Sequence, residues 1–164
     1  MSLRSNLERI DIGNWKNSQV QIRPIKTEAD LIYAIFQCRL NEAQKDLVNP
    51  AGFSIGRAYL SREDHYPCVI CNENAEPIGF INFSKWVGAE QAYSWSYYID
   101  NDYQGKGYGR AAAQLAIHIL KTACPRKSIK LSTEVCNLKA QGLYSSLGFV
   151  QSAELDGDDL VFVL

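Results

Sequence analysis

The chain has 164 residues, 46% apolar and 21% charged, with a formal net charge of −1, which suits one domain that buries about 70% of its unfolded surface. The near-neutral balance offers no basic surface for nucleic acid or an anionic membrane. No apolar run is long enough to span a bilayer, and Met1–Leu7 lacks the apolar stretch of a signal peptide, so the cytoplasm is the expected compartment. The five cysteines are odd in number. Cys68 and Cys71 form a C-x-x-C pattern inside an apparent strand, where residues three apart face opposite sides. With only two histidines in the chain, small buried thiols are expected and no metal site.

In chain order, residues 1–19 read as an N-terminal extension of unassigned structure, anchored by Leu7, Ile10 and Trp15, and 20–164 as a single domain. Val20–Pro24 is a short strand. Thr27-x-x-Asp30 opens a helix on the pattern of a capping box, with Leu31, Ile32, Ile35 and Phe36 as its apolar face. Asn49–Gly52 breaks the chain, and Ser54 is placed to cap a short helix ending at Leu60. Pro67–Cys71 and Ile78–Phe83 form a hairpin around a turn at Asn72–Glu76. Ala92–Ile99, with three tyrosines and a tryptophan, has strand composition. A helix runs from Arg110 to about Thr122, facing inward through Leu115, Ala116, Ile119 and Leu120. Ile129–Val135 is a strand. Asn137 caps a helix with the face Ala140, Leu143, Tyr144 and Leu147, and Gly148 ends it in the left-handed position. Phe149–Ala153 and Asp159–Leu164 close the chain as paired strands.

The informative string runs from Tyr98 to Arg110 through Gln104-Gly-Lys-Gly-Tyr-Gly109. A strand passing through glycines into a helix start exposes unpaired N–H groups, with Lys106 and Arg110 beside them, and both the donors and the helix dipole favour a phosphate. The string contains no Gly-Lys-Ser/Thr, which excludes a Walker P-loop. Gly107-x-Gly109-x-x-Ala112, with Glu134 ending a strand about 20 residues on, fits an NAD-type dinucleotide fingerprint. Against it, Gly107 lies well past the end of its strand, and the motif sits two-thirds along a short chain. A plain turn would account for one or two of the glycines.

Gln104-x-x-Gly107-x-Gly109 also resembles the Q/R-x-x-G-x-G/A signature of the GNAT superfamily of acyl-CoA N-acyltransferases. Asn137-x-x-Ala140-x-x-Leu143-Tyr144-x-x-x-Gly148-Phe149 resembles a second segment of that superfamily, at the usual distance from the first. The resemblance spans residues 20–164. It implies an α/β (α+β) fold with a mixed, largely antiparallel sheet flanked by helices and splayed between strands 92–99 and 129–135. It also implies acetyl-CoA as co-substrate. The pantetheine arm is expected along Tyr97 and Ile99, and the pyrophosphate on the backbone of Gln104, Gly105, Lys106, Gly107, Tyr108, Gly109 and Arg110. A backbone N–H near Tyr97–Tyr98 would stabilise the oxyanion, and Tyr144 would protonate the leaving thiolate. Asn137 is expected to cap its helix, contact the cofactor, or both.

The implied reaction is acetyl transfer to a primary amine within a ternary complex. The alternative is an inactive CoA-binding or protein-interaction module on the same fold. Glu134, Glu90 and a water relay are all open as the base. The stretch Gln44-x-x-x-Val48-x-Pro50-x-x-x-Ser54 and the ending Glu154-Leu-Asp156 resemble bacterial polyamine and diamine N-acetyltransferases. A polycation would need carboxylates, for which Glu42, Asp46, Glu63, Asp64 and Asp156 are candidates. Trp95 stands where that branch tends to carry an acidic residue, either as an aromatic wall of the acceptor site or as core. A homodimer is the default closed assembly.

Overall fold

The computed structural model describes residues 1–88 and 91–164. After a short helix α1 (Leu3–Leu7), β1 (Val20–Pro24) leads into α2 (Glu28–Ile32). Next come α3 (Ala51–Leu60), β2 (His65–Asn72), β3 (Pro77–Lys85) and β4 (Tyr93–Ile99). The long helix α4 (Tyr108–Ala123) precedes β5 (Lys130–Thr133), α5 (Leu138–Ser146), β6 (Val150–Asp156) and β7 (Asp159–Val163). Strands β1-β2-β3-β4 form one antiparallel sheet in that order, and β5-β7-β6 a second. This antiparallel architecture rules out the dinucleotide reading of the glycine segment, which requires a parallel doubly wound sheet.

The two sheets are joined at one point. Tyr93 forms a parallel bridge with Ile129, and its N–H donates to the Ser128 carbonyl at 3.0 Å. Beyond that contact β4 and β5 part, leaving the expected splay. The main core lies between the first sheet and α4, whose alanines 111, 112 and 116 let the helix approach the strands closely. A second, smaller core lies on the opposite face, under α2 and α3. Cys68 faces the first core and Cys71 the second, as the strand period requires.

The residues before β1 pack into the main core. Leu3, Leu7 and Trp15 are all buried, with Ile10 packed against them, and Trp15 meets Phe83 edge-on at 6.1 Å. Leu3 was not among the expected anchors.

Two local expectations need correction. The face of α2 turned inward is Asp30 and Ala34, while Ile32 and Ile35 are exposed and Phe36 is 78% exposed. The cause is electrostatic and helical: Asp30 turns in to receive a two-pronged contact from Arg23 of β1, at 2.7 and 3.3 Å. The helix then widens to a π-turn over Tyr33–Gln37, with Cys38 N–H donating to the Tyr33 carbonyl, and this shifts the apolar stripe out of register. Thr27 does cap α2, accepting from Asp30 N–H, but Asp30 is engaged with Arg23 instead of closing the reciprocal half of a capping box. Helix α3 begins at Ala51 behind Pro50, so Ser54 lies inside the helix, buried, and is not its cap.

Strand β6 sits at the edge of the second sheet with nearly every residue exposed. It is tied inward by Glu154, whose carboxylate accepts from the buried Lys130 ammonium at 2.6 Å.

Leu7 is fully buried, so Leu7→Ala should lower the unfolding free energy by about 2–5 kcal/mol. Urea denaturation measures this. A loss below about 1 kcal/mol would show that α1 adds little to the core.

Candidate active site

The glycine segment owes its path to backbone conformations. Gly105 and Gly107 adopt φ of +75° and +86°, in the left-handed region, and Gly107 caps α4 there. Gly109 has an ordinary φ, and a Cβ added to it would meet only Ile99 Cγ1 and Tyr97 Oη, each at 3.8 Å. Nothing in the protein's own packing demands glycine at 109, so any pressure against a side chain there comes from outside the chain. The start of α4 is fixed to β4 by the Tyr97 hydroxyl, which donates to the Gly109 carbonyl at 3.0 Å. The first-turn N–H groups of this 16-residue helix therefore point toward the splay with the helix dipole behind them.

The open edge of β4 follows from its hydrogen bonding. In an antiparallel pair, the N–H and C=O of one residue point to the same edge and successive residues alternate. Tyr93 N–H points to β5, and Asp100 N–H points to Ile78 of β3. Odd-numbered residues of β4 therefore direct their backbone groups into the splay. The Ile99 carbonyl accepts there from Gln104 Nε2 at 2.9 Å. Between Tyr93 and Ile99, the edge groups of Trp95 and Tyr97 face the gap. The Tyr98 N–H, the other member of the expected oxyanion pair, faces β3.

Two cavities open on this gap. One, about 330 Å³, is lined by Tyr97, Ile99, Gln104, Gly105, Gly107, Gly109, Arg110, Asn137 and Tyr144 of the expected residues, together with Tyr98, Gln44 and Leu143. Lys106 and Tyr108 do not line it. Lys106 donates to the Asp102 carbonyl beside the Tyr103 ring, and the Tyr108 hydroxyl turns away to Glu73. The Gln104 amide is engaged with Ile99, Gln44 (2.7 Å) and Asn41, so it holds the 41–44 turn against the end of β4 instead of presenting a free donor. Arg110 is oriented by Ser146 of α5 at 2.6 Å.

The second cavity, about 520 Å³, continues through the gap to the opposite face of the first sheet. Its walls include Asp46, Glu134, Asp156 and Asp159 along with His65, Asn82, Ser94, Ser96 and Trp95. Of the carboxylates expected near an acceptor, Asp46 and Asp156 line it; Glu42, Glu63 and Asp64 do not, and Glu42 pairs with Lys45. Glu90 lies outside the described residues. The polar patch of His65, Asn82, Ser84 and the β4 serines was missed in the sequence. Its signal is the recurrence of polar residues at every second position within otherwise apolar β3 and β4.

Tyr97, Asn137 and Tyr144 line both cavities. Asn137 caps α5, accepting from Ala140 N–H at 3.2 Å. The Tyr144 ring is held between Phe149 and Phe162, each 5.8 Å away, and its hydroxyl makes no hydrogen bond among the described residues. Burial pushes the phenol up to about 12, so it keeps its proton throughout the neutral range. Burial, and secondarily the neighbouring Tyr144, raises Tyr97 as well. Trp95 packs edge-on to Phe149 at 5.9 Å in the core and also lines the larger cavity.

The profile of the acetyltransferase (GNAT) family matches residues 30–149. The chain belongs to that family. It is 30% identical over 93 residues to the L-amino acid N-acyltransferase MnaT of Escherichia coli K12, a stretch covering 55% of this chain and 54% of that protein. The chain spans about half the length of the curated relatives it matches. Among solved structures, an acetyltransferase from Agrobacterium tumefaciens str. C58 superposes with a TM-score of 0.69 at 16% identity, over 91% of this chain and 92% of that one. Mycobacterium smegmatis RimJ, in complex with CoA-disulfide, superposes at 0.64 and 19% identity, over 88% and 81%. At such identities these structures establish the GNAT fold alone. Among the described residues no helix is long and apolar enough to cross a membrane.

Because Gly109 has room for a side chain and no positive φ, Gly109→Asp should fold normally. Its carboxylate should weaken acetyl-CoA binding by at least about tenfold through repulsion of the pyrophosphate. Calorimetric titration checks this, and unchanged affinity would move the phosphate site elsewhere. Gly107→Asp is a poorer test, since its φ of +86° adds backbone strain of about 1–2 kcal/mol.

Proposed function

We propose that the protein transfers the acetyl group of acetyl-CoA to a small primary amine by direct attack in a ternary complex. One observation carries this reading: a cavity bordered by the phosphate-type loop and a second, polar cavity meet at Tyr97, Asn137 and Tyr144. That junction lets a thioester and an amine approach from opposite sides, which is the positioning that acyl transfer needs.

Gly105, Gly107, Gly109 and the first turn of α4 bind the pyrophosphate, with Arg110 adding positive charge. The Tyr97 and Ile99 edge of β4 takes up the pantetheine arm as an added strand. The Tyr97 N–H stabilises negative charge on the carbonyl oxygen as the amine nitrogen bonds to the carbonyl carbon. When the C–S bond breaks, Tyr144 gives its proton to the sulfur. A phenol near 12 is a weak acid for a thiolate of ordinary pKa about 8.5, but the dry setting that raises the phenol raises the thiolate's proton affinity too. The amine's proton goes to Glu134, the candidate base among the cavity-lining residues, directly or through water. Two acceptor classes have support. The acidic wall of Asp46, Glu134 and Asp156 suits a diamine or polyamine, while the similarity to an L-amino acid N-acyltransferase favours an amino-acid-like amine.

Tyr144→Phe keeps the ring between Phe149 and Phe162 and removes only the hydroxyl, so folding should be unchanged. The single-turnover rate should fall by about 10²–10⁴-fold with little change in acetyl-CoA affinity. In the parent protein no loss of rate attributable to this phenol should occur below about pH 11, because its folded-state pKa is about 12 and only the protonated form acts. A stopped-flow thiol assay across pH reads both. An undiminished rate in the variant would leave Tyr144 as packing on α5, and absence of turnover in the parent protein would favour the inactive-module alternative.

A further inference from the structure

The far wall of the larger cavity is built from side chains that ordinary packing would replace with apolar ones. His65, Asn82, Ser84, Ser94 and Ser96 come from β2, β3 and β4, on the sheet face opposite α4, and Ser54 and Arg57 of α3 lie over them. His65, Asn82, Ser94 and Ser54 are all buried. Asn82 is 4% exposed, and its Nδ2 donates to His65 Nδ1 at 3.2 Å while its Oδ1 has no partner among the described residues. Whichever way the amide faces, one of its two polar groups is left unmatched. The indole Nε1 of Trp95, 5% exposed, is also without a partner among the described residues. Each such orphan is unfavourable unless something outside the chain satisfies it.

Charge divides the same cavity. Arg57 and Lys85 line it and form no ion pair among the described residues. Burial, followed by the nearby Arg57 charge, lowers the pKa of His65, so its ring is neutral at pH 7 and Arg57 supplies the positive charge beside it. The carboxylates come from elsewhere: Glu134 from the end of β5, Asp156 and Asp159 from the β6–β7 turn, and Asp46 from the loop before α3. A polyamine carries only positive charge and would leave the Arg57 end repelled. A carboxylate meets the Arg57 charge and, with the Asn82 amide turned so that its Oδ1 accepts from a protonated Nδ1 of the neutral His65 ring, also the freed Nδ2 donor.

Resting on the acetyl-transfer reading, we infer that the acceptor is a primary amine bearing a carboxylate, and that Arg57, with Asn82 and His65 behind it, holds that carboxylate while the amine faces Tyr144 and Glu134. Arg57 is a specificity residue here and takes no part in the bond changes.

The test compares acids with their amides: L-leucine against L-leucinamide, and 6-aminohexanoate against 6-aminohexanamide, with spermidine as the all-cationic control. In the parent protein at least one acid should exceed its amide and spermidine in kcat/KM by about tenfold or more. Arg57 is exposed, so Arg57→Gln should fold normally. It should abolish that preference by raising the acid's KM, leaving kcat, the amide's KM and the acetyl-CoA Kd unchanged. Asn82→Ala, with its melting temperature monitored, should act in the same direction. Turnover of amides or spermidine at least as good as of the acids, or an acid preference unchanged in Arg57→Gln, overturns this inference and leaves acetyl transfer standing. Calorimetry on the CoA-saturated protein separates the reverse case: acids that bind through Arg57 without turning over would retain the carboxylate site and overturn the transferase reading.

Discussion

The site depends on a hydrogen-bonded ladder that stops after one rung. Strands β4 and β5 touch at Tyr93 and Ile129 and then separate, so a strand deep in the protein keeps a free edge. A buried edge with unpaired N–H and C=O groups is unfavourable in a finished fold, and proteins normally cover or pair it. Here the gap remains open because two different bodies press on its sides. Helix α4 is seated on the first sheet, and α5 on the second, three-stranded one. The edge that this leaves is a template for an extended ligand, and the two cavities are its two approaches.

The same constraint explains why the glycine loop lies where it does. The free edge ends at Ile99, whose carbonyl is taken by Gln104, and the chain turns through two left-handed glycines straight into α4. Tyr97 sends its hydroxyl to Gly109 from the strand itself. Strand edge and helix start are therefore one rigid unit, which in the proposed reading would fix the distance between thioester and pyrophosphate without relying on the mobile ends of lysines or arginines. Lys106, the most obvious phosphate ligand by charge, turns away from the cavity at no cost to this arrangement.

Much of this was legible in the sequence because the deciding signals are local. Glycines before a helix, the Asn137 cap, the Gly148 stop and the Leu143-Tyr144 pair each specify their own few residues, and β1 runs from Val20 to Pro24 as read. Most of the failures are cases where a partner on another element decides. The apolar stripe of α2 reads inward until Arg23, on another element, claims Asp30. Ser54 has the chemistry of a cap, but the chain break at Pro50 starts the helix earlier. Leu3 looks like part of a loose terminus because its burial comes from α4 and β2. The polar wall of His65, Asn82 and the serines is spread over three strands far apart in the chain, and only their pairing register places them on one face.

The edge position of β6 gives the molecule a graded stability. Strand β2 is paired on both sides and almost wholly buried, so exchange of its amide protons with solvent requires disruption of the whole sheet. Strand β6 has one neighbour and little buried side-chain area, and its main inward tie is the Glu154–Lys130 contact. Its amides are then released by a small local opening in which the first sheet and α4 stay intact. Asp156, at the end of β6, moves with that opening. One wall of the larger cavity thus belongs to the least protected strand of the fold, while the opposite wall, with His65 of β2 and Asn82 of β3, belongs to strands paired on both sides. A ligand bridging the two walls would slow exchange in β6 and leave β2 as it was.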